Sequence, residues 1–409
     1  MSSAASRRNL IAAVVLAALG YFVDIYDLIL FSIVRVASLK GIGAADEQLL
    51  SQGLLLINMQ MGGMLIGGIL WGILGDKKGR LSVLFGSIAL YSIANIANGF
   101  VHSLTAYAAM RFVAGLGLAG ELGAGITLVS ELMPKETRGY GTMVVASVGV
   151  VGGVVAGLVG NCLGWRAAYF VGGGLGLALL TLRVGVFESG LFDKAKTSEA
   201  ARGDFLMLFM SRERLWKYVC CILLGVPIWY VIGILATFAP EFGKALRMPV
   251  LPSGPSSVMW LYAGCALGGL ASCSLSQILK SRRTSAFVFV AATALASAAY
   301  LNLTGLSLAP FYAECFALGF TSGYWAVFVT IASEQFGTNI RATVTTTVPN
   351  FVRGSLVGVS WTFAALKPAR GILGAAEIVG AACFGLAFLS LTGLRETYGK
   401  DLDYLESAM

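Results

Sequence analysis

One histidine, nine prolines and a charged fraction of 12% make this 409-residue sequence poor in the groups that most soluble enzymes rely on. The single histidine, His102, rules out a His-rich metal site, and it lies outside any Gly-x-Ser-x-Gly context that would make it part of a hydrolase triad. No Gly-x-x-x-x-Gly-Lys-Ser/Thr loop is present, so no P-loop brings ATP to the protein. The seven cysteines (Cys162, Cys220, Cys221, Cys265, Cys273, Cys315 and Cys383) contain no Cys-x-x-Cys pair and read as small apolar packing residues. With 57% hydrophobic residues and a mean hydropathy of +0.80, the chain has too little polar surface to cover a soluble globule, so its environment is a lipid bilayer. The net charge of +8 is carried by loops and calls for no nucleic acid.

Apolar stretches of about 18 residues or more, enough to cross ~30 Å of hydrocarbon as helix, fall near 10–35, 52–74, 81–100, 104–130, 140–162, 165–187, 215–238, 255–279, 286–305, 308–333, 342–366 and 371–393. Twelve spans put both termini on one side. Most of the 29 Lys and Arg fall on that side, whereas the other holds only Lys40, Arg166, Lys244, Arg247, Lys367 and Arg370. The asymmetry places both termini in the cytoplasm. The first span follows Arg7 and Arg8 but is long, carries Asp24 and Asp27, and lacks a small-residue cleavage site, so it is read as a retained helix.

The chain also repeats. Lys77 and Arg80 in Gly72-Ile-Leu-Gly-Asp-Lys-Lys-Gly-Arg80 recur as Lys280 and Arg283, and Ser130, Glu131 and Arg138 recur as Ser333, Glu334 and Arg341, all at an offset of 203. The polar stretch Glu188 to Arg214 separates six spans from six. The expected organisation is an N-terminal six-helix bundle over 1–187, a cytoplasmic linker over 188–214, a C-terminal bundle over 215–394 and a cytoplasmic tail over 395–409. Duplicated bundles bind a solute where the halves meet. Gly115-Leu-Gly-Leu-Ala-Gly120 has the spacing of a dinucleotide fingerprint, but no strand precedes it. The prolines between Pro240 and Pro255 suggest an irregular loop.

At these residues the chain resembles the major facilitator superfamily over nearly its whole length. GILGDKKGR is similar to the signature between that family's second and third helices. RFVAGLGLAGELGAG followed by SELMPKETRG is similar to the pattern of its sugar and organic-acid porters, and Asp24-Ile-Tyr-Asp27 to a first-helix motif of proton-coupled aromatic-acid and metabolite symporters, with Ile25 where Gly is usual. The resemblance implies an all-α fold of twelve transmembrane helices, and a carrier rather than an enzyme. It also implies a gate of Asp76, Lys77, Arg80, Glu131 and Arg138 with their second-half partners Glu334 and Arg341. Leu279 stands where the second loop would carry its acid.

Charges at membrane depth cost roughly 2.5–3.5 kcal/mol each at a helix centre, so they read as functional. Asp24 and Asp27 share one face of the first helix; two carboxylates that close cannot both ionise cheaply, so one holds a proton. With Glu121 they are the candidate proton carriers. The candidate substrate ligands are Arg111 and Arg353, whose forks suit a carboxylate, together with Asp24, Asn350, Trp229, Tyr230 and Tyr324. Trp325 belongs to the same aromatic group. Arg35, Glu314 and Glu377 lie nearer the outer interface, where snorkelling suffices. The expected activity is proton-coupled uptake of a small organic anion by a monomer in a bacterial inner membrane, with no cofactor. The same acids would also serve a proton-antiporting exporter of drugs or metabolites, and import of a sugar or metal chelate is a further alternative. A membrane aspartyl protease is disfavoured because Ile73-Leu-Gly-Asp76 lacks the first glycine of its second motif.

Overall fold

The computed structural model describes residues 3–78, 80–121, 138–188 and 205–399. Every regular element among them is helical, because hydrocarbon offers a backbone N–H or C=O no partner and a helix satisfies both within itself. The first half runs α1 (Ser3–Gly41), α2 (Leu49–Lys78), α3 (Arg80–Asn98), α4 (Leu104–Leu118), α5 (Arg138–Cys162) and α6 (Trp165–Glu188). The second runs α7 (Arg212–Tyr230), α8 (Gly254–Ile278), α9 (Arg282–Asn302), α10 (Leu308–Glu334, broken at Gly323 and Tyr324), α11 (Thr338–Gly354) and α12 (Leu356–Gly393).

Nine stretches among the described residues are long and apolar enough to cross a membrane. One of them, Thr343–Gly393, is 51 residues long and holds two crossings; the shorter apolar helices Val83–Asn98 and Leu104–Leu118 bring the total to twelve. The protein is a multi-pass integral membrane protein. The even count puts the start of the first described crossing and the end of the last on one face, hereafter the terminal face.

Local chemistry sets the breaks. Ser103, Ser253 and Ser281 cap α4, α8 and α9 by accepting from Ala106, Ser256 and Thr284 N–H groups. Gly371, with φ +69°, reverses the chain between the eleventh and twelfth crossings, in a left-handed conformation open to a residue without Cβ. The eleventh crossing therefore extends beyond residue 366. Pro227 removes a donor inside α7, and the helix continues after Tyr230 as a π-helical turn, Val231–Ala236, closed by Thr237 N–H donating to the Ile232 carbonyl at 3.2 Å. The Pro240 to Pro255 segment is not wholly irregular as expected: Ala239–Ala245 forms a short helix with Pro240 in its first turn, where no donor is lost.

Within each half, glycines bring backbones into contact, the packing device available where lipid supplies no hydrophobic drive. Gly63 and Gly67 of α2 lie against the Phe112 and Leu116 carbonyls of α4; Gly264 and Gly268 of α8 lie against the Phe316 and Phe320 carbonyls of α10. The same pair of crossings in both halves makes the sequence repeat a structural one. Across the halves, α1 and α5 pack on α8, and α2 packs on α11. There the glycines meet side chains: Gly153 meets the Tyr262 ring and Gly68 meets Asn350.

Candidate functional site

A cavity opens between the halves. Tyr21 and Ile25 of α1 and Ser147 and Val150 of α5 form one side; Trp229 and Ile232 of the α7 region, Tyr262, Cys265 and Cys273 of α8, Ser322 and Trp325 of α10, and Arg353 of α11 form the other. Its walls are mostly apolar and aromatic, with few polar groups, as is usual for a small-molecule pocket.

Arg353 is the cavity's cation. It is buried and donates through Nη2 to Asp24 Oδ2 at 3.5 Å, long for an ion pair. Its guanidinium carbon lies 5.6 Å from the Trp325 ring centroid. Arg353 Nε and Nη1 and Asp24 Oδ1 have no hydrogen-bond partner, nor do Trp229 Nε1, Trp325 Nε1 and Ser322 Oγ. An unmet buried polar group costs about 1–3 kcal/mol, so this cluster of unmet groups on one cavity wall marks a place for a ligand.

Arg111, expected to bind substrate, does not line this cavity. It is buried inside the first half, where Nη1 donates to Gln60 Oε1 at 3.1 Å and Nη2 to Asn95 Oδ1 at 2.7 Å, and its guanidinium carbon lies 5.2 Å from the Tyr169 ring centroid. Asp27 lies near Arg111 and Asn95 and against Gly172 of α6, and neither of its carboxylate oxygens has a hydrogen-bond partner.

Glu121 departs from expectation as well. Both its oxygens accept from Arg183, Oε2 from Nη1 at 3.1 Å and Oε1 from Nη2, in space left by Gly20. Tyr230 donates to the Ala376 carbonyl at 2.8 Å and Tyr324 to the Leu224 carbonyl at 3.0 Å; both pack within the second half, and it is their neighbours Trp229 and Trp325 that line the cavity. Asn350 also lies off the cavity and ties the halves together by donating to the Ala119 carbonyl at 2.8 Å.

On the face opposite the termini the halves are clasped. Arg35, expected to snorkel, is fully buried: Nη2 donates to Glu241 Oε2 at 2.6 Å, Nη1 to the Leu49 carbonyl at 3.1 Å and Nε to the Thr237 carbonyl at 3.3 Å. Thr237 Oγ1 adds a 2.9 Å bond to Ser32 Oγ. Glu314 is half-buried and Glu377 exposed.

Of the proposed gate, the side chains of Asp76, Lys77, Arg80, Glu131 and Arg138 lie outside the described residues. In the second half Glu334 accepts from Thr397 Oγ1 at 2.7 Å and pairs with Arg282 Nε at 3.5 Å, while Arg341 Nε donates to the Ser333 carbonyl at 3.0 Å. Glu396, beyond α12, accepts from the backbone N–H groups of Arg282 and Arg283 and from Ser281 Oγ. It thus brings to the second basic loop the acid that Leu279 does not provide. Sequence reasoning missed Glu396, Glu241, Arg183, Tyr21 and Tyr262; only Tyr21 was accessible from it, since it precedes Asp24 by three residues and shares its helix face.

A family model described as Major Facilitator Superfamily matches residues 10–366. The 3-(3-hydroxy-phenyl)propionate transporter of Escherichia coli is 28% identical over 364 residues, covering 85% of this chain and 88% of that one. The gentisate transporter of Corynebacterium glutamicum is 27% identical over 290 residues, 64% of this chain and 63% of that one. Among solved structures, the proton:xylose symporter XylE bound to 6-bromo-6-deoxy-D-glucose aligns with a TM-score of 0.71 at 15% identity, covering 97% of this chain and 98% of that one.

Proposed function

The chain belongs to the Major Facilitator Superfamily, and from that premise we propose that it imports a small organic anion, driven by protons, through alternating access of its two halves. It is a secondary carrier of a small organic solute, not an enzyme. The observation that carries the finer reading is Arg353, which lines an aromatic cavity between the halves and whose one ion pair there is a long bond to Asp24. A substrate carboxylate would take the free fork and displace Asp24; the apolar rings would hold its body. The names of the two transport relatives, for a hydroxyphenylpropionate and for gentisate, fit a carboxylate on a ring.

A third carboxylate arriving near Asp24 and Asp27 raises the cost of their charge, which favours entry of a proton with the anion. Asp27, with both oxygens unpaired, is the acid we assign to that proton. The excess of Lys and Arg on the terminal side supports cytoplasmic termini, with the Arg35 clasp on the outer face; we assign the protein to a bacterial inner membrane. We assign it to the monomer.

The test is a thermal-shift screen of organic acids on purified protein, followed by uptake into proteoliposomes under an imposed pH gradient. Arg353→Lys should weaken binding although the charge is kept, and Arg353→Ala should weaken it on the order of tenfold to a hundredfold, the equivalent of a charge-assisted bond worth about 1.5–3 kcal/mol. Equal affinities for wild type and both variants would overturn the assignment, and accumulation that follows sodium without proton uptake would replace the coupling ion.

A further inference from the structure

The unmet polar groups of the cavity fall into two sets. Arg353 and Asp24 hold each other, and Trp325 and Arg353 both lie near Tyr21. Trp229 and Ser322, by contrast, line the cavity, and Trp229 Nε1 and Ser322 Oγ are buried with no hydrogen-bond partner among the described residues. An indole N–H can only donate. Buried without an acceptor it is unfavourable, and few such groups persist in native proteins. A substrate that binds in the cavity either brings an acceptor to the indole or leaves its bond unmade.

We propose that Trp229 is a specificity-determining residue, whose N–H reads a second acceptor oxygen on the substrate's body, with Ser322 also in the cavity wall. The proposal rests on the reading that a carboxylate sits on Arg353. The preferred substrate class is then a small cyclic acid with a second oxygen, hydroxyl or keto, on its ring. A ring acid lacking that oxygen fits the cavity but leaves the indole unmet, and sites built around a buried donor discriminate strongly against such analogues.

Benzoate and its 3- and 4-hydroxy derivatives test this on purified full-length protein by equilibrium binding. Wild type should bind one of the hydroxylated acids about tenfold more tightly than benzoate. In Trp229→Phe, which keeps an aromatic ring and removes the N–H, that ratio should fall to near one. Ser322→Ala should lower the ratio to a smaller extent. The ratio cancels changes in shape or folding that affect all three acids alike. A wild-type protein indifferent to the hydroxyl, or a Trp229→Phe protein that keeps the full preference, overturns the proposal while leaving the carboxylate reading intact. Failure of Arg353→Ala to reduce binding, or binding of none of the three acids, overturns that reading and the proposal with it.

Discussion

Asp24 and Asp27 stand one turn apart on α1, yet the fold gives them different neighbours: Asp24 turns toward Arg353 across the interface, and Asp27 toward Arg111 and Asn95 within its own half. Their neutral variants should therefore behave differently. Asp27→Asn is expected to abolish gradient-driven accumulation while leaving substrate affinity and exchange nearly unchanged, since Asn mimics only the protonated acid. Asp24→Asn should instead tighten anion binding by severalfold, because it removes the carboxylate that competes for Arg353. Paired measurements of affinity and accumulation check both; wild-type accumulation in Asp27→Asn sinks the proton assignment, and unchanged affinity in Asp24→Asn sinks the competition. The helix periodicity of the sequence placed the two acids on one face but could not say which arginine each would meet, because that depends on the rotation of α1 against two different helices. The same limit explains the tyrosines: Trp229 and Tyr230 are equally apolar and aromatic in sequence, and only the rotation of α7 decides which reaches the cavity.

The elements themselves were more legible. Apolar run length and the position of basic residues are cumulative signals, and they located the spans; breaks that rest on one residue's conformation, such as the π-helical turn after Tyr230 or the reversal at Gly371, leave no such signal. The start of α9 also depends on a distant residue, Glu396. Burial pushes that carboxyl up, but hydrogen bonds from Ser281 Oγ and from the N–H groups of Tyr398, Arg282 and Arg283 outweigh it and bring the pKa from 4.5 down to about 2. A depressed pKa means stability that is fully present above the unfolded value near 4.5 and lost as pH falls toward 2. After allowance for solvent screening of a partly exposed group, this amounts to on the order of 1 kcal/mol. Thermal unfolding of Glu396→Gln should thus show a lowered midpoint at neutral pH and a gap to wild type that narrows as pH drops below about 4.5; a gap undiminished at pH 2.5 would mean that the cap's charge is not what stabilises α9.

For the whole molecule, the offset of 203 in sequence was sufficient to show two related halves, but not how they meet, because the interface is where the halves differ. The Arg35 clasp closes one face, and Glu241→Gln should loosen it. Loss of a charge-assisted bond shifts the balance toward an outward-facing form on the order of tenfold or more. Cys265 and Cys273 line the cavity, so in a protein lacking the exposed Cys162 an impermeant thiol reagent applied from the clasp side should label them correspondingly faster; an unchanged rate would show that the clasp does not limit opening. The distribution of glycines has a separate bearing on how such a protein can evolve. Inside a half, a side chain added at Gly63, Gly264 or Gly268 strikes main chain that cannot step aside, whereas between halves, at Gly68 or Gly153, it strikes a side chain that can be exchanged in turn. Descendants of this sequence can therefore retime the transport cycle by paired changes along the interface without risking the integrity of either half, and inherited variation should accumulate along that seam.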